Sequence, residues 1–532
     1  MKNWCTLKTR SQAISGARLL SMLAICGLSV IALSAQTPSF TVISEFCGEK
    51  PCPLGGNPVS SPVQTTNGDL YGTTGGKLAT VIAGTQNQQF ADNGPGVIFK
   101  MKPGNSPSAV YTFCSQSNCT DGRYPFGTLI QATNGDLYGT TVGGGVNGDY
   151  GTVFKLTLAG TFTTLYSFCA EANCADGQAP YAGLVQATDG HLYGTTSAGG
   201  ANGKGTAFKI TPDGALTTIY SFCSEANCTD GATPYGGMVQ VTDGNLFGTT
   251  SAGGRHPVPG ELIDANSGTV FKLSLAGKLT TFYSFCFVAD IFGNCVDGAN
   301  PTGSLIQGTD GSLYGTTYNG ALGFGSVFKL TLGGKLSTVT GFCGELLKGG
   351  ACSDLAGGMR PQAGVIQGTD GNFYGSAYTG GSPAGAAGAG TIFQLTPAGK
   401  LTPLHTFCTT NCKDGGHPYG GLVQETDGTF YGTTLIDGNK YSSDGTLFSL
   451  STGLGPFIKI QTTSGKAGST VRILGNDLTV ATSVTFNGVV AEFKVNSPSE
   501  ITATVPAAAT SGPVQVFIPG GPLTSNVPFQ IR

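Results

Sequence analysis

Gly183-Leu184-Val185-Gln186-Ala187-Thr188-Asp189-Gly190-His191-Leu192-Tyr193-Gly194-Thr195-Thr196 is a short apolar run, an Asp-Gly, and a second run that ends in Gly-Thr-Thr. Apolar and polar side chains alternate from Leu184 to Thr188 and from Leu192 to Thr196, and Asp-Gly tolerates the positive φ of a tight hairpin turn. The unit recurs seven times, with its aromatic at Tyr71, Tyr138, Tyr193, Phe247, Tyr314, Tyr374 and Tyr431. Further on, Gly205 to Ile210, a Pro212-Asp213-Gly214 turn and Leu216 to Cys223 read as a second hairpin. Four strands copied in tandem at a period of about 60 residues predict one all-β body of repeated four-stranded sheets.

The ends of the array sharpen this. The Gly-Thr-Val-Phe-Lys type strand also occurs seven times, from Ile98-Phe99-Lys100 to Leu447-Phe448-Ser449. The last copy lacks an outer Tyr-Ser-Phe-Cys type strand, and an unattached one, Phe40 to Cys47, precedes the first repeat. Pairing the two would complete seven sheets and leave no long edge exposed. The expected fold is therefore a seven-bladed β-propeller over residues 38–452, closed by the N-terminal strand, with an open solenoid as the alternative.

Only 11% of residues are charged, and 86 of 532 are Gly, which suits short strands and many turns. The net charge of -3 includes Lys2, Lys8, Arg10 and Arg18; without them the chain has 27 − 4 = 23 basic and 30 acidic groups, or -7. A dilute acidic surface argues against a nucleic-acid partner. Residues 1–35 read as a secretory signal: a basic start, an apolar run from Leu19 to Leu33, then Ser34-Ala35 as cleavage site. That run is short of the ~20 residues needed to span a bilayer, so a soluble, secreted or cell-surface monomer is expected. Lipidation at Cys26 is disfavoured by Ile25, where a small residue should stand.

Cys5 and Cys26 fall within the signal, and the other fourteen cysteines form close couples: Cys47/Cys52, Cys114/Cys119, Cys169/Cys174, Cys223/Cys228, Cys286/Cys295, Cys343/Cys352 and Cys408/Cys412. One couple per repeat in an exported chain predicts one local disulfide per repeat. Thiolate metal sites are the competing reading, but no CxxC with matching His occurs.

From Gly455 the repeat stops, and short alternating segments separated by Gly and Pro suggest an immunoglobulin-type β-sandwich over 455–532. Thr463 to Val471, Ser483 to Gly488, Ile501 to Pro506 and Ser511 to Val514 resemble the IPT/TIG family. Thr242-Asp243-Gly244-Asn245-Leu246-Phe247-Gly248-Thr249-Thr250 and Gly268 to Leu273 in turn resemble the GloVer tandem-repeat family of bacterial exported proteins, over about residues 38–452. That resemblance implies export and no particular reaction. Its members commonly end in a sorting tail, and Pro528 to Arg532 lacks the expected apolar and basic character.

In such a ring, the Asp-Gly and Gly-Lys-Leu type turns share one face. The variable Cys loops and the loops after Gly-Thr-Thr share the other, where binding sites are expected. Tyr124, Tyr181, Tyr235 and Tyr419, in or just after the Cys loops, with Arg255 and His256, are the candidate binding residues. Asp121, Asp176 and Asp230, after the second Cys, are candidate metal ligands, although Asp-Gly is ordinary turn chemistry. Gln64, Gln131, Gln186, Gln240, Gln307, Gln367 and Gln424 are expected to satisfy backbone groups of the neighbouring repeat. A single active site must break the symmetry. Arg123, His191, Glu261, Asp264, Asp290, Glu345, Arg360, His405 and His417 do so, and Glu261 and Asp264 could in principle serve as a hydrolytic acid and base. No cofactor motif occurs. The sequence thus favours a non-enzymatic module binding an extracellular protein or glycan. A secreted hydrolase or lyase acting on polysaccharide or peptide, and a structural envelope protein, are the alternatives.

Overall fold

The computed structural model describes residues 37–46, 52–76, 78–80, 89–90, 94, 96–255, 267–288, 295–320, 323–343, 356–381, 388–409, 412–436 and 444–532. Residues 37–532 form one compact unit. Among the described residues there is no α-helix, only strands and short 3-10 turns.

Each of the first six repeats forms one four-stranded antiparallel sheet. In the third, Val185–Gln186, Leu192–Thr196, Thr206–Ile210 and Leu216–Ser221 lie side by side in chain order. The inner strand is shorter than its alternating sequence suggests, because Ala187 already belongs to the turn, donating its N–H to the His191 carbonyl at 2.9 Å. The second strand is buried along its whole length, so its pattern is continuous, whereas the outer strand is only part-buried. The Gly of Tyr-Gly-Thr has a steric cause. Phe208 faces Gly194 in the register, and its ring occupies the space a Cβ would need.

Each outer strand carries a bulge. In the third sheet the register slips between Ala207 and Phe208, so Ile219 is extra and joins Tyr220 in packing on the next sheet. The same slip recurs at the other outer strands. A bulged outer strand bends and twists, which blunts an otherwise exposed edge.

The seventh sheet is made of Val423–Gln424, Phe430–Thr434 and Thr446–Ser451 with the N-terminal strand Ser39–Glu45 as its outer member. Ser39 pairs with Ser451 and Glu45 with Thr446. The sheets follow one another in a closed cycle. Each apolar cluster joins two successive sheets, as Tyr138, Val153 and Phe168 meet Leu184, Leu192 and Phe208. The cycle closes where Phe46, Tyr431 and Leu447 of the last sheet meet Leu70, Phe99 and Met101 of the first. The recurrent Tyr of the second strand is thus a packing residue between sheets, and its hydroxyl is satisfied locally: Tyr193 donates to Asp189 at 2.7 Å.

Beyond the repeats, Lys459–Ile460, Thr470–Leu474, Glu500–Thr504 and Phe493–Ser497 form one sheet, and Val489–Ala491, Ser483–Phe486, Val514–Ile518 and Gly521–Thr524 another. The two share one core that includes Ile458, Ile473, Val484, Phe486, Ile501, Val516 and Phe529.

Candidate functional site

Antiparallel pairing sorts the connections as expected, and the two ends of the sheets differ. At the loop end, Cys114–Cys119, Cys169–Cys174, Cys223–Cys228, Cys286–Cys295 and Cys408–Cys412 are disulfides. Cys52 and Cys343 are also disulfide-bonded; Cys47 and Cys352 lie outside the described residues. Among the described residues, the Asp that follows five of the pairs, at 121, 176, 230, 297 and 414, organises its loop. Asp176 is fully buried and accepts hydrogen bonds from the Tyr166 hydroxyl at 2.9 Å and from the N–H groups of Ala170 and Glu171 at 3.0 and 3.2 Å. Asp121 and Asp230 repeat the pattern with Tyr111 and Tyr220, each at 2.7 Å. In the sixth repeat His405 replaces that Tyr, stacks on Phe40 and meets Asp414 at 2.9 Å. Among the described residues no group of three or more His, Cys, Asp or Glu is placed to hold a metal.

Next comes a position that sequence reading missed. Asn57, Tyr124, Ala179, Thr233, Asn300, Arg360 and His417 each precede a Pro, and all have left-handed φ of 52° to 61°. That conformation is rarely used by non-Gly residues. Packing enforces it: each Pro ring sits on a positive-φ Gly of the preceding sheet, Pro234 on Gly205 for example, and Pro58 on Gly445 across the closure. The recurring Pro was the available signal. Seven equivalent backbones therefore hold seven different sets of side chains at one mouth.

The residues after the Pro and after Gly-Thr-Thr complete that mouth. Val59, Tyr124, Phe126, Val142, Tyr378 and Leu435 form one apolar cluster, with Tyr181 and Tyr419 packed against it. Tyr181 and Tyr235 meet edge to face at 5.0 Å, Phe126 lies 5.9 Å from Tyr181, and Tyr378 lies 6.2 Å from Tyr419. Burial, then the neighbouring Tyr419, raises the Tyr235 hydroxyl to about 12. Burial likewise raises Tyr181 and Tyr378, with smaller effects of Tyr235 and Tyr419 on the first and of Tyr419 and Tyr318 on the second. These phenols are neighbours although they come from separate repeats. Tyr124 itself is 4% exposed and lies under the Arg123 guanidinium, whereas Tyr181, Tyr235 and Tyr419 keep part of their surface. Arg255 is exposed, its N–H on Ser284 Oγ. His256, Glu261, Asp264, Asp290 and Glu345 lie outside the described residues.

The profile of the Gloeobacter/Verrucomicrobia repeat matches residues 76–293 and 287–497, well over half of the chain. The chain belongs to that repeat family. No curated protein matches it. Among solved structures it is similar to PorZ, a surface component of the type-IX secretion system of Porphyromonas gingivalis, with 14% identity over 87% of this chain and 58% of that one, at a TM-score of 0.44. It is also similar to a puromycin hydrolase, with 11% identity over 80% of this chain and 59% of that one, at 0.41. A protein of unknown function from Dyadobacter fermentans matches with 11% identity over 78% of this chain and 99% of that one, at 0.41. None of the described helical turns is long and apolar enough to cross a membrane.

At the opposite end, the Gln of this Gloeobacter/Verrucomicrobia repeat joins adjacent sheets. Gln186 Oε1 accepts the Thr133 N–H at 2.8 Å while its amide donates to the Gly190 carbonyl at 3.0 Å, and Gln131, Gln240, Gln307 and Gln367 do the same. The closure between the seventh and first sheets departs from this. Glu425 stands where the other repeats have Thr65, Ala132, Ala187, Val241, Gly308 and Gly368, and it accepts from Gln64 Nε2 at 2.5 Å. The segment after the repeats inserts here. Lys459 keeps part of its stem exposed but encloses its ammonium, which donates to the Gln424 carbonyl and to Gln64 Oε1 at 3.2 Å. Around it Ser499 Oγ donates to the Thr66 carbonyl at 2.8 Å, Gln461 reaches Gln131 at 3.2 Å, and Arg532 reaches Thr188 at 3.0 Å.

Proposed function

We propose that this chain is an exported, non-enzymatic binding protein that engages an extracellular or cell-surface protein or glycan through the loop end of its ring. In this reading residues 1–35 are a signal, residues 38–452 are a seven-bladed β-propeller closed by the N-terminal strand, and residues 455–532 are an IPT/TIG domain of immunoglobulin type. Export is supported by the disulfides, which persist in oxidising compartments.

The observation that carries the binding reading is the convergence of the part-exposed Tyr181, Tyr235 and Tyr419 at one mouth, backed by the buried Tyr378 and Phe126. Tyr offers a large, rigid contact surface with a polar tip and few rotatable bonds, which suits recognition. The same repeat that is similar from copy to copy at the turn end varies more here, as expected where a scaffold is fixed and its display is not. The test is a glycan and protein array screened with the chain and with a Tyr181→Ala, Tyr235→Ala double variant. Retention that the double variant loses is the expected result. Turnover of a bound ligand that Glu261→Gln abolishes would contradict the binding-only reading.

A further inference from the structure

Of the seven equivalent positions before the Pro, one carries a fixed positive charge: Arg360. Its main chain is held like the others, its N–H on the Phe324 carbonyl at 2.8 Å. The polar side chains at three of the other positions bond the scaffold, although Asn57 Oδ1 is itself enclosed without a partner among the described residues. Asn57 donates to the Gly76 carbonyl at 2.6 Å, Asn300 to the Ser251 carbonyl at 3.0 Å, and His417 Nδ1 meets the Tyr378 carbonyl at 3.0 Å. Arg360 differs. Its guanidinium lies 5.6 Å from the Tyr318 ring centroid, and its Nε is enclosed without a hydrogen-bond partner among the described residues. Arg360 as a whole is part-exposed, and an enclosed donor such as its Nε is rarely left unmet.

Resting on the reading of this mouth as a binding site, we propose that its ligand is a uronic-acid-bearing oligosaccharide whose carboxylate is received by Arg360. The planar fork of a guanidinium matches a carboxylate through two parallel N–H···O bonds. A phosphate carries roughly −1.5 to −2 charges and calls for more than one cation. Tyr318 lies beside Arg360; within the same mouth Tyr378 lies 6.2 Å from Tyr419, and Tyr181 meets Tyr235 at 5.0 Å. The part-exposed Tyr181, Tyr235 and Tyr419 offer ring faces and hydroxyls to several linked sugars. A peptide carboxyl terminus would bring backbone amides that this lining of rings does not pair.

The test is titration calorimetry of the full chain with tetragalacturonate and with its carboxyl-reduced, neutral counterpart. Tetragalacturonate is expected to bind. Arg360→Gln should weaken it at least tenfold and Arg360→Lys should recover only part of the loss, while the neutral oligomer binds at least tenfold more weakly to the wild type. The melting temperature of Arg360→Gln should equal or exceed that of the wild type, since an unmet donor is removed; this separates lost binding from lost folding. Equal binding by Arg360→Gln, equal binding of the neutral oligomer, absence of binding by both, or displacement of tetragalacturonate by tetra-alanine would each overturn the proposal. In the first two cases, loss of binding in Tyr181→Ala would leave the mouth standing as a binding site, and retention there would overturn that reading as well.

Discussion

Each end of the ring carries a cation, and the scaffold treats the two in opposite ways. Lys459, at the turn end, donates to the Gln424 carbonyl and to Gln64 Oε1, and Glu425 lies close enough to favour its charge. Its acceptors come from within the chain, on both sides of the closure. Arg360, at the loop end, has an aromatic ring beside it and an Nε with no partner among the described residues. The turn end is built from near-identical residues and is contacted by the C-terminal segment around the closure; the loop end sets different side chains on identical backbones. A cation whose acceptors are already present fastens the structure. One without them is available to something else.

The comparison can be broken most forcefully at the closure. Deleting residues 39–46 removes the outer strand of the seventh sheet and the buried Phe46. Phe46→Ala alone should cost about 3–5 kcal/mol. The deletion should cost more and drive association through the freed edge of Thr446–Ser451. Sedimentation and thermal melting check this, and an unchanged monomer would contradict ring closure.

Next in size is Lys459. Lys459→Ala leaves Glu425, Gln64 and Gln424 enclosed without the ammonium, a loss of about 3 kcal/mol. Hydrogen exchange should quicken at residues 63–66 and 424–427 and stay unchanged at the equivalent turn at 240–245. Uniform exchange across both would show that the closure is not special. Arg360→Gln, by contrast, should leave exchange at its own end intact.

Smaller again is Asp176→Ala, which strands three donors and should cost about 1–3 kcal/mol. The effect should stay within the Cys169–Cys174 loop. Asp189, at the turn end, is largely exposed; Asp189→Ala should cost less than Asp176→Ala.

A pH dependence is confined to the turn end. Burial first, then Asp427, raises Glu425 from 4.5 to about 7. Its contribution to stability is therefore present below 4.5 and is lost as pH rises through 7. Burial lowers Lys459 from 10.5 to about 8, against the opposing pull of Glu425 and Asp427. Its contribution is present above 10.5 and is lost as pH falls through 8. Protection at 424–427, corrected for the intrinsic exchange rate, should be lowest between pH 7 and 8. Glu425→Gln should flatten the acid limb and Lys459→Met the alkaline one.

Much of the scaffold was legible in the sequence because it is local and repeated. Strand alternation, the Asp-Gly turns and the Gly of Tyr-Gly-Thr each follow from neighbours within one repeat, and the unattached Phe40 to Cys47 copy pointed to its missing partner. The Gln residues were read correctly as joints between sheets. The mouth was only partly legible. Tyr181, Tyr235 and Tyr419 could be singled out, but their meeting with Tyr378 and Phe126 joins residues from distant repeats and depends on how the ring closes. Tyr124 looked like a contact residue and is a buried packing residue, because its left-handed backbone turns the ring under Arg123. The Lys459 contact was not legible at all, since it joins positions 395 residues apart.

Hydrogen exchange of the full chain with and without tetragalacturonate tests the assignment of function to the loop end most directly. Slowing at residues 123–126, 178–182, 358–362, 377–380 and 416–420, with none at 186–191 or 240–245, is the predicted result. Slowing at those turns or in the C-terminal sheets, with the mouth unchanged, would contradict it.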